Sequence, residues 1–384
     1  MRSARLALAA LAACTALALP SAAHAAPLQF FTESTHTELD SWLKGGGTPL
    51  VGDFNGDGEG DVFLYRPGAG TERLLFGKGD RGGAWFSNTS ANIQVNGTYT
   101  PVVGDFNANG STDILWYGPG TAPDTLWSFN KQSSTFVVSK PVINGRYRPF
   151  VGDFTSNDGQ ATDDIFWYAP GSGADSIWKG IAGRRVSFSS IPQRISGTYT
   201  PLVGSFTPDP GTGGSTDSTL DIFWYAPGAT GDSLWKGDGN GHFTPQAYRV
   251  SGTYKPIVGF FDGYGVQDIF WYSANGPDSV WLADPATGKF TAHGASIGAG
   301  FTPITGEFTI PDEPIYWWST TGPDRLWIPE GEPGTWAYSE LNNNSDVGAG
   351  SKPVVVDLDG DGNNDILWLP TAASAHTKIW WGPG

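Results

Sequence analysis

The sequence has little sulfur and little charge. Its 384 residues include one cysteine, Cys14, and one methionine, and only 16% of them are charged. A single cysteine excludes a disulfide framework of the kind that holds small secreted domains together. After the N-terminal segment, no apolar run approaches the roughly 18 residues of a membrane-spanning helix. A stable fold must therefore depend on its core, on strand pairing or on metal.

Basic residues are also scarce, with 22 Lys and Arg against 38 Asp and Glu, which gives a net charge of −16. This balance makes nucleic acid a poor candidate partner. Glycine and aromatic residues are plentiful, with 54 Gly, 28 Pro and 14% aromatics. Such a composition predicts a folded, turn-rich protein without long helices.

The first 25 residues have the pattern of an export signal. Arg2 and Arg5 precede an apolar run to Leu19, and Ala23-His24-Ala25 forms a small-x-small cleavage site. We therefore expect a signal peptide at 1–25, one secreted domain at 26–384 and no membrane span. A minor alternative is a lipoprotein anchored through Cys14, because Leu11-Ala12-Ala13-Cys14 resembles a lipobox.

A phrase of proline, two apolar residues, glycine, aspartate and phenylalanine recurs along the chain with varying fidelity. Its seven copies begin at Pro49, Pro101, Pro149, Pro201, Pro256, Pro303 and Pro353. A period of about 50 residues is typical of propeller blades, each a four-stranded sheet. Each period also contains runs rich in β-branched and aromatic residues, such as residues 113–117. The repeat predicts an all-β, seven-bladed β-propeller.

The two ends of the chain complement each other. After Pro353 the chain supplies three extended segments, the last at 378–381, and then ends without a fourth. Residues 28–47 precede the first copy, where a fourth segment would belong. Because closure removes exposed strand edges, we expect the N-terminal strand to complete blade seven and close the ring.

Three loops between the first and second segments fit the pattern D-x-[DN]-x-[DN]-G-x-x-D. They are loop one (53–61), loop two (105–113) and loop seven (357–365). Oxygens at alternate positions around a glycine turn suit Ca²⁺, and position 7 would offer its backbone carbonyl. An EF-hand is excluded, because position 12 is Leu64, Trp116 or Trp368 rather than glutamate. The candidate metal residues are Asp53, Asn55, Asp57, Glu59, Asp61, Asp105, Asn107, Asn109, Ser111, Asp113, Asp357, Asp359, Asp361, Asn363 and Asp365.

The phrase Val-Gly-Asp-Phe-Asn-Gly-Asp-Gly, followed by Asp-Val, resembles the FG-GAP or VCBS repeats that build the propeller of integrin α chains. The resemblance extends over residues 28–384. It implies a seven-bladed propeller with Ca²⁺ in the loop between the first two strands of a blade, in agreement with the ligand pattern.

The intact loops fall on blades seven, one and two, which are neighbours in a closed ring. We expect up to three Ca²⁺ ions there, stabilising the ring as disulfides stabilise other exported folds. Blades four, five and six start their loops with Ser205, Phe260 and Glu307, and we expect no metal in them. Blade three has acidic residues separated by insertions, and its metal binding is left open.

Aromatic residues recur at fixed places in the repeat. Tryptophans in the second and third segments suit packing between blades. An aspartate opens the third segment at Asp124, Asp175, Asp232, Asp278 and Asp324. These carboxylates either accept turn amides, which we favour, or combine with nearby tyrosines into a repeated sugar-binding face.

No catalytic motif is present, and the histidines after the signal are scattered at His36, His242, His293 and His376. We therefore expect a monomeric extracellular binding module, with carbohydrate as the first choice of ligand and a protein surface as the second. The alternative is a polysaccharide lyase that acts in a central cleft of the propeller.

Overall fold

A computed structural model describes residues 30–383 apart from 69, 79–86, 89–92, 132, 209–218, 229–230, 264, 309–312, 331–333 and 344–346. The expected signal peptide and Cys14 lie outside these residues. Helix in the described part of the chain is limited to α1 (Asp40–Leu43) and a 3₁₀ turn at Ser156–Asp158. No helix in that part is long and apolar enough to cross a membrane.

The strands form seven antiparallel sheets of four strands each, as predicted. The chain begins with β1 (Thr32–Thr35). Blade one contains β2 (Thr48–Gly52), β3 (Asp61–Tyr65), β4 (Arg73–Phe76) and β5 (Ser87–Asn88). Blade two contains β6 (Thr100–Gly104), β7 (Asp113–Tyr117), β8 (Thr125–Asn130) and β9 (Thr135–Ser139). Blade three contains β10 (Arg148–Gly152), β11 (Asp164–Tyr168), β12 (Asp175–Gly180) and β13 (Phe188–Gln193).

The remaining blades repeat this plan. Blade four contains β14 (Thr200–Gly204), β15 (Asp221–Tyr225), β16 (Asp232–Gly237) and β17 (Phe243–Tyr248). Blade five contains β18 (Lys255–Gly259), β19 (Asp268–Tyr272), β20 (Asp278–Ala283) and β21 (Phe290–Ala295). Blade six contains β22 (Phe301–Ile304), β23 (Ile315–Ser319), β24 (Asp324–Pro329) and β25 (Tyr338–Asn343). Blade seven contains β26 (Ser351–Val356), β27 (Asp365–Pro370) and β28 (Lys378–Trp381).

The N-terminal strand completes blade seven. β1 pairs antiparallel with β28, with Thr32 opposite Trp381 and Thr35 opposite Lys378. The sheet order is β1-β28-β27-β26, and β2 of blade one contacts both β6 and β26. The predicted ring closure is confirmed. Among the described residues of the expected segment 28–47, only 32–35 are strand, because the chain then forms α1, which the repeat pattern did not predict.

Aromatic packing holds neighbouring blades together. Trp116 on β7 is buried, and its ring lies 4.9 Å from that of Tyr65 in the preceding blade. It also makes an edge-to-face contact with Trp127 on β8, at 5.4 Å between centroids. Blades three to seven repeat this pair of tryptophans. The prediction that the repeated tryptophans pack between blades is confirmed.

Blade one differs at the same positions, because it has Leu64 and Leu75 in place of tryptophan. Both leucines belong to a core shared with blade seven. Leu39 and Leu43, from the turn before α1 and from α1, pack into this core. Blade one therefore has leucine in place of tryptophan where Leu39 and Leu43 of the N-terminal segment pack between blades seven and one.

Candidate metal centre at the junction of blades seven, one and two

The first aspartate of each intact loop folds the backbone around its own carboxylate. In loop one, Asp53 Oδ1 accepts the N–H of Gly56 at 2.5 Å, and Oδ2 accepts the N–H of Gly58 at 2.8 Å. In loop seven, Asp357 accepts the corresponding N–H groups of Gly360 and Gly362 at 2.8 and 3.0 Å. These bonds turn the loop so that the following oxygens come together.

A left-handed residue stands at position 4 of all three loops. Gly56 and Gly360 both have φ of 69°, and in loop two Ala108 has φ of 55°. This conformation favours glycine, because a Cβ crowds the following carbonyl. Loop two adopts the same backbone turn although Ala108 has a Cβ, so the three loops share one backbone shape.

Loop seven gathers the densest set of carboxylates. Asp357, Asp359 and Asp361 each offer an oxygen, and these atoms lie within 4.8 Å of one another. Burial raises the pKa of Asp357, and the charges of its two neighbours raise it further. A divalent cation would relieve this repulsion. At positions 3 and 5, loops one and two have Asn55, Asn107 and Asn109, so positions 1, 3 and 5 carry fewer charges there than in loop seven.

Loop two leaves polar atoms of its last two candidate ligands unpaired. The Ser111 hydroxyl and Oδ1 of Asp113 are buried without a hydrogen-bond partner. Burial raises the pKa of Asp113 to about 7, and the Ser128 hydroxyl and the Phe106 N–H, which favour the charged carboxylate, offset this rise only in part. Buried polar atoms without partners are costly, and a cation would satisfy them. The donor set of this loop therefore fits a hard metal ion.

The aspartate at position 9 has a structural role that the metal pattern alone did not reveal. Asp61 accepts the Phe54 N–H at 2.7 Å and the Gly77 N–H at 2.9 Å, one with each oxygen, and so ties loop one to the end of β4. Asp365 does the same in loop seven, with Leu358 and Gly382.

The equivalent aspartates of blades four and five, Asp221 and Asp268, make these bonds without the rest of the metal pattern. Because this aspartate also occurs in blades that lack the other residues of the metal pattern, the sequence itself indicated that it has a structural role. Burial raises the pKa of Asp61 to about 8.

The three loops are joined in series. Gly60 donates its N–H to the carbonyl of Asp357 at 2.6 Å, which links loop one to loop seven. Thr112 donates to the carbonyl of Asp53 at 2.7 Å, which links loop two to loop one. Lys131 Nζ donates to the carbonyl of Gly56 at 2.8 Å. The candidate residues of neighbouring loops therefore lie together on one side of the ring.

The acidic residues of blade three have other partners. Asp158 pairs with Lys179 at 2.8 Å, and Asp163 accepts the N–H of Asp105 at 2.7 Å. The inserted residues form the 3₁₀ turn at Ser156–Asp158. Blade three therefore does not reproduce the arrangement of the three intact loops.

Residues 31–116 match the family model described as the FG-GAP-like repeat. This segment is similar to the FG-GAP-like repeat family. It contains all of loop one and loop two, so two of the candidate metal loops lie in the matched FG-GAP-like segment. Among curated proteins, no sequence matches the chain.

One solved structure, BBS1N, shares the fold. BBS1N, crystallised in complex with ARL6DN, is 11% identical and aligns over 92% of this chain and 97% of its own, with a TM-score of 0.53. A chain of the Photorhabdus luminescens Tc holotoxin pore is 14% identical over 91% of this chain, with a TM-score of 0.47. This chain spans only 14% of that toxin chain.

At the opposite end of the propeller, the repeated aspartates bind groups within their own blade. Asp124 accepts the N–H groups of Gly118 and Ile143, both at 2.8 Å. The same pair of backbone bonds recurs at Asp175, Asp232 and Asp278. In blade six, Asp324 accepts the Ser319 N–H and the Tyr316 hydroxyl. The favoured prediction, that these carboxylates accept turn amides, is confirmed.

The tyrosines of the second strands are used in the same way. The Tyr117 hydroxyl donates to the carbonyl of Gly145 at 2.8 Å and accepts the N–H of Tyr147 at 2.9 Å. Equivalent bonds are made by Tyr65, Tyr168 and Tyr225. These side chains hold the turns of one blade together and do not form an open platform.

Proposed function

We propose that this FG-GAP-like propeller is an exported, calcium-stabilised binding module. The observation that carries the proposal is the convergence of Asp357, Asp359 and Asp361 beside two similar loops at the junction of blades seven and one. Calcium is held by several oxygen ligands at once, and these loops offer carboxylates, amide oxygens and backbone carbonyls.

Each loop would hold the ion through the oxygens of positions 1, 3 and 5. In loop seven these are Asp357, Asp359 and Asp361, and in loop one they are Asp53, Asn55 and Asp57. The bound ion would supply positive charge where carboxylates crowd together. Position 9 would mainly keep loops one and seven attached to their blades, because the carboxylates of Asp61 and Asp365 are fully buried and bridge the loop to the residue after the third strand. In loop two, Oδ1 of Asp113 has no such partner and would be a ligand of the ion. Loop seven, with its three carboxylates, would bind most tightly.

The ions would stabilise the junction at which the ring closes. β1 joins blade seven through hydrogen bonds, packing and an ion pair between Glu33 and Lys378 at 3.0 Å, and with one cysteine in the sequence no disulfide can link the two. A ligand that binds only the folded state adds about 2.7 kcal/mol when it is present at a hundredfold excess over its Kd. Calcium would therefore serve where a disulfide serves in other exported domains.

Thermal unfolding with calcium and with a chelator tests this role. We expect a higher melting temperature with calcium, and a smaller difference in the variant Asp359→Asn/Asp361→Asn, whose amides keep the shape but lose the charge. The control variant Asp238→Asn/Asp284→Asn removes two carboxylates from exposed turns outside the loops. Equal melting temperatures of the wild-type protein in calcium and chelator would refute the proposal.

For the ligand, a protein surface is now better supported than carbohydrate. The sugar-binding interpretation required Asp124 and its equivalents to face a ligand, and their carboxylates accept backbone amides instead. A glycan array probed with the labelled protein separates the two classes. Specific glycan binding would restore carbohydrate as the ligand. The lyase alternative stays an untested prediction.

A further inference from the structure

The exposed apolar side chains lie on two neighbouring blades. Among the described residues, the large hydrophobic side chains that are exposed are Val137, Val138, Val142 and Ile181. The first two lie on β9 of blade two, and Ile181 opens the turn between β12 and β13 of blade three. Apolar side chains that gather on one surface commonly mark a binding site.

A groove runs between these two blades. Its larger part has a volume of about 830 Å³ and is lined by Val137 and Val138 of blade two and by Arg184 and Arg185 of blade three. A smaller part of about 480 Å³ is lined by Trp178 and Phe188. Leu126, Ser139 and Val186 line both parts, so the groove is continuous and has an apolar floor.

The rim of the groove is basic, although the chain as a whole carries a charge of −16. Lys131 and Lys140 flank β9, and Arg184 and Arg185 face it from blade three. All four side chains are exposed. Neither arginine is paired with a carboxylate among the described residues. The rim therefore complements a partner of negative charge.

β9 is an open sheet edge without the usual protection. Edge strands are normally guarded by proline, by charge, by glycine kinks or by being short. The other outer strands have such features, namely Glu33 in β1, Pro192 in β13, Pro245 in β17, Gly294 in β21, Glu340 in β25 and the two-residue length of β5. β9 reads Thr-Phe-Val-Val-Ser and has none of them.

We propose that an extended acidic segment of a partner protein binds in this groove by adding a strand to β9. The backbone of the segment would pair with the free edge of β9, and its apolar side chains would rest on Trp178 and Phe188. Its acidic side chains would meet Arg184 and Arg185. A second copy of this chain is a poor occupant, because its own β9 is flanked by the same basic residues, so pairing two copies would bring like charges together.

This inference deepens the proposed binding function and is tested separately from it. The probe is a short fluorescein-labelled peptide in which glutamate and valine alternate, and fluorescence anisotropy measures its binding to the purified protein. We expect the peptide to bind, and a peptide with lysine in place of glutamate not to bind. The variant Arg184→Glu/Arg185→Glu should bind the acidic peptide about tenfold more weakly, because like charges then face each other. The variant Arg249→Glu/Lys255→Glu changes charge equally at exposed positions outside the groove and should bind as the wild type does.

Two backbone-methylated peptides test the strand addition. A strand pairs through one edge, so methylating one alternate set of amides should abolish binding, and methylating the other set should not. Equal effects of the two sets, unchanged binding by the arginine variant, or no binding of the acidic peptide would overturn the inference. Peptide binding is not expected to depend on calcium. If the acidic peptide does not bind but calcium raises the melting temperature, the groove inference is refuted and the calcium proposal stands. If the peptide binds but calcium leaves the melting temperature unchanged, the calcium proposal is refuted and the groove inference stands.

Discussion

At the scale of a single residue, Gly60 shows how closely blades one and seven approach. Its N–H donates to the carbonyl of Asp357, and a Cβ added at Gly60 would lie 2.5 Å from that same oxygen. Position 8 has a side chain in the other blades, such as Thr112, Gln267 and Asn364. Blade one has no room for one, because the backbone of loop seven occupies the space.

We therefore expect Gly60→Ala to lower the free energy of unfolding by about 1–3 kcal/mol, since the added methyl group must push the two loops apart. Chemical denaturation in chelator measures this without the contribution of calcium. Gly294→Ala is the matched control, because a Cβ there meets no atom within 4 Å. Equal losses in the two variants would show that the close approach is unimportant.

At the scale of an element, α1 is held to the C-terminal strand by Asp40. Its Oδ1 accepts the N–H of Thr377 at 2.8 Å and the Thr377 hydroxyl at 3.0 Å. Its Oδ2 contacts His376 at 2.6 Å and Lys44 at 3.1 Å. Burial alone would raise the pKa of Asp40, but the hydrogen bonds from His376, Thr377 and Lys44 outweigh burial and hold the pKa well below its usual range.

A carboxylate whose pKa is lowered by folding stabilises the protein above its unfolded pKa of about 4, and this stabilisation is lost as the pH falls further. We expect Asp40→Asn to lower the free energy of unfolding by about 1–3 kcal/mol at neutral pH, and the difference from wild type to shrink below about pH 4. Urea unfolding across this pH range measures the difference. Asp284→Asn controls for the loss of an exposed carboxylate, and a pH-independent effect of Asp40→Asn would contradict the prediction.

At the scale of the whole molecule, the ring is closed by residues just before and within β1. Phe31 is buried, and its ring packs edge-on against Phe308 of blade six at 5.2 Å between centroids. It also contacts Trp380 of blade seven at 5.7 Å. Phe31, near the N-terminus, thus fills the interface between blades six and seven, which the C-terminal part of the chain forms.

We expect Phe31→Ala to destabilise the protein by about 3–5 kcal/mol, because it leaves a cavity at this interface. Limited proteolysis should then cut the N-terminal segment faster than in the wild type. Val142→Ala, a truncation of a side chain that is 74% exposed, provides the control. Unchanged stability and cleavage in Phe31→Ala would mean that β1 is held without this contact.

The number of blades, the closure of the ring and the position of the three candidate calcium loops could all be predicted from the sequence. Each of these features follows from a pattern within the repeat. The repeated phrase indicates the number of blades, the incomplete last blade together with the extra N-terminal segment indicates the closure, and aspartates at fixed spacing indicate the loops. The pattern could not predict α1, because its stability comes from Leu39 and Leu43 packing against blades seven and one and not from a repeat.

Which polar groups are available to bind a ligand could be seen only in the packed blades. Asp124 and Tyr117 looked available for a ligand, but residues about 20 to 30 positions later along the chain use their oxygens. The basic groove likewise combines β9 with Arg184 and Arg185, which belong to different repeats. A sequence shows which groups exist, whereas partners that are distant in the chain are chosen only when the blades pack side by side.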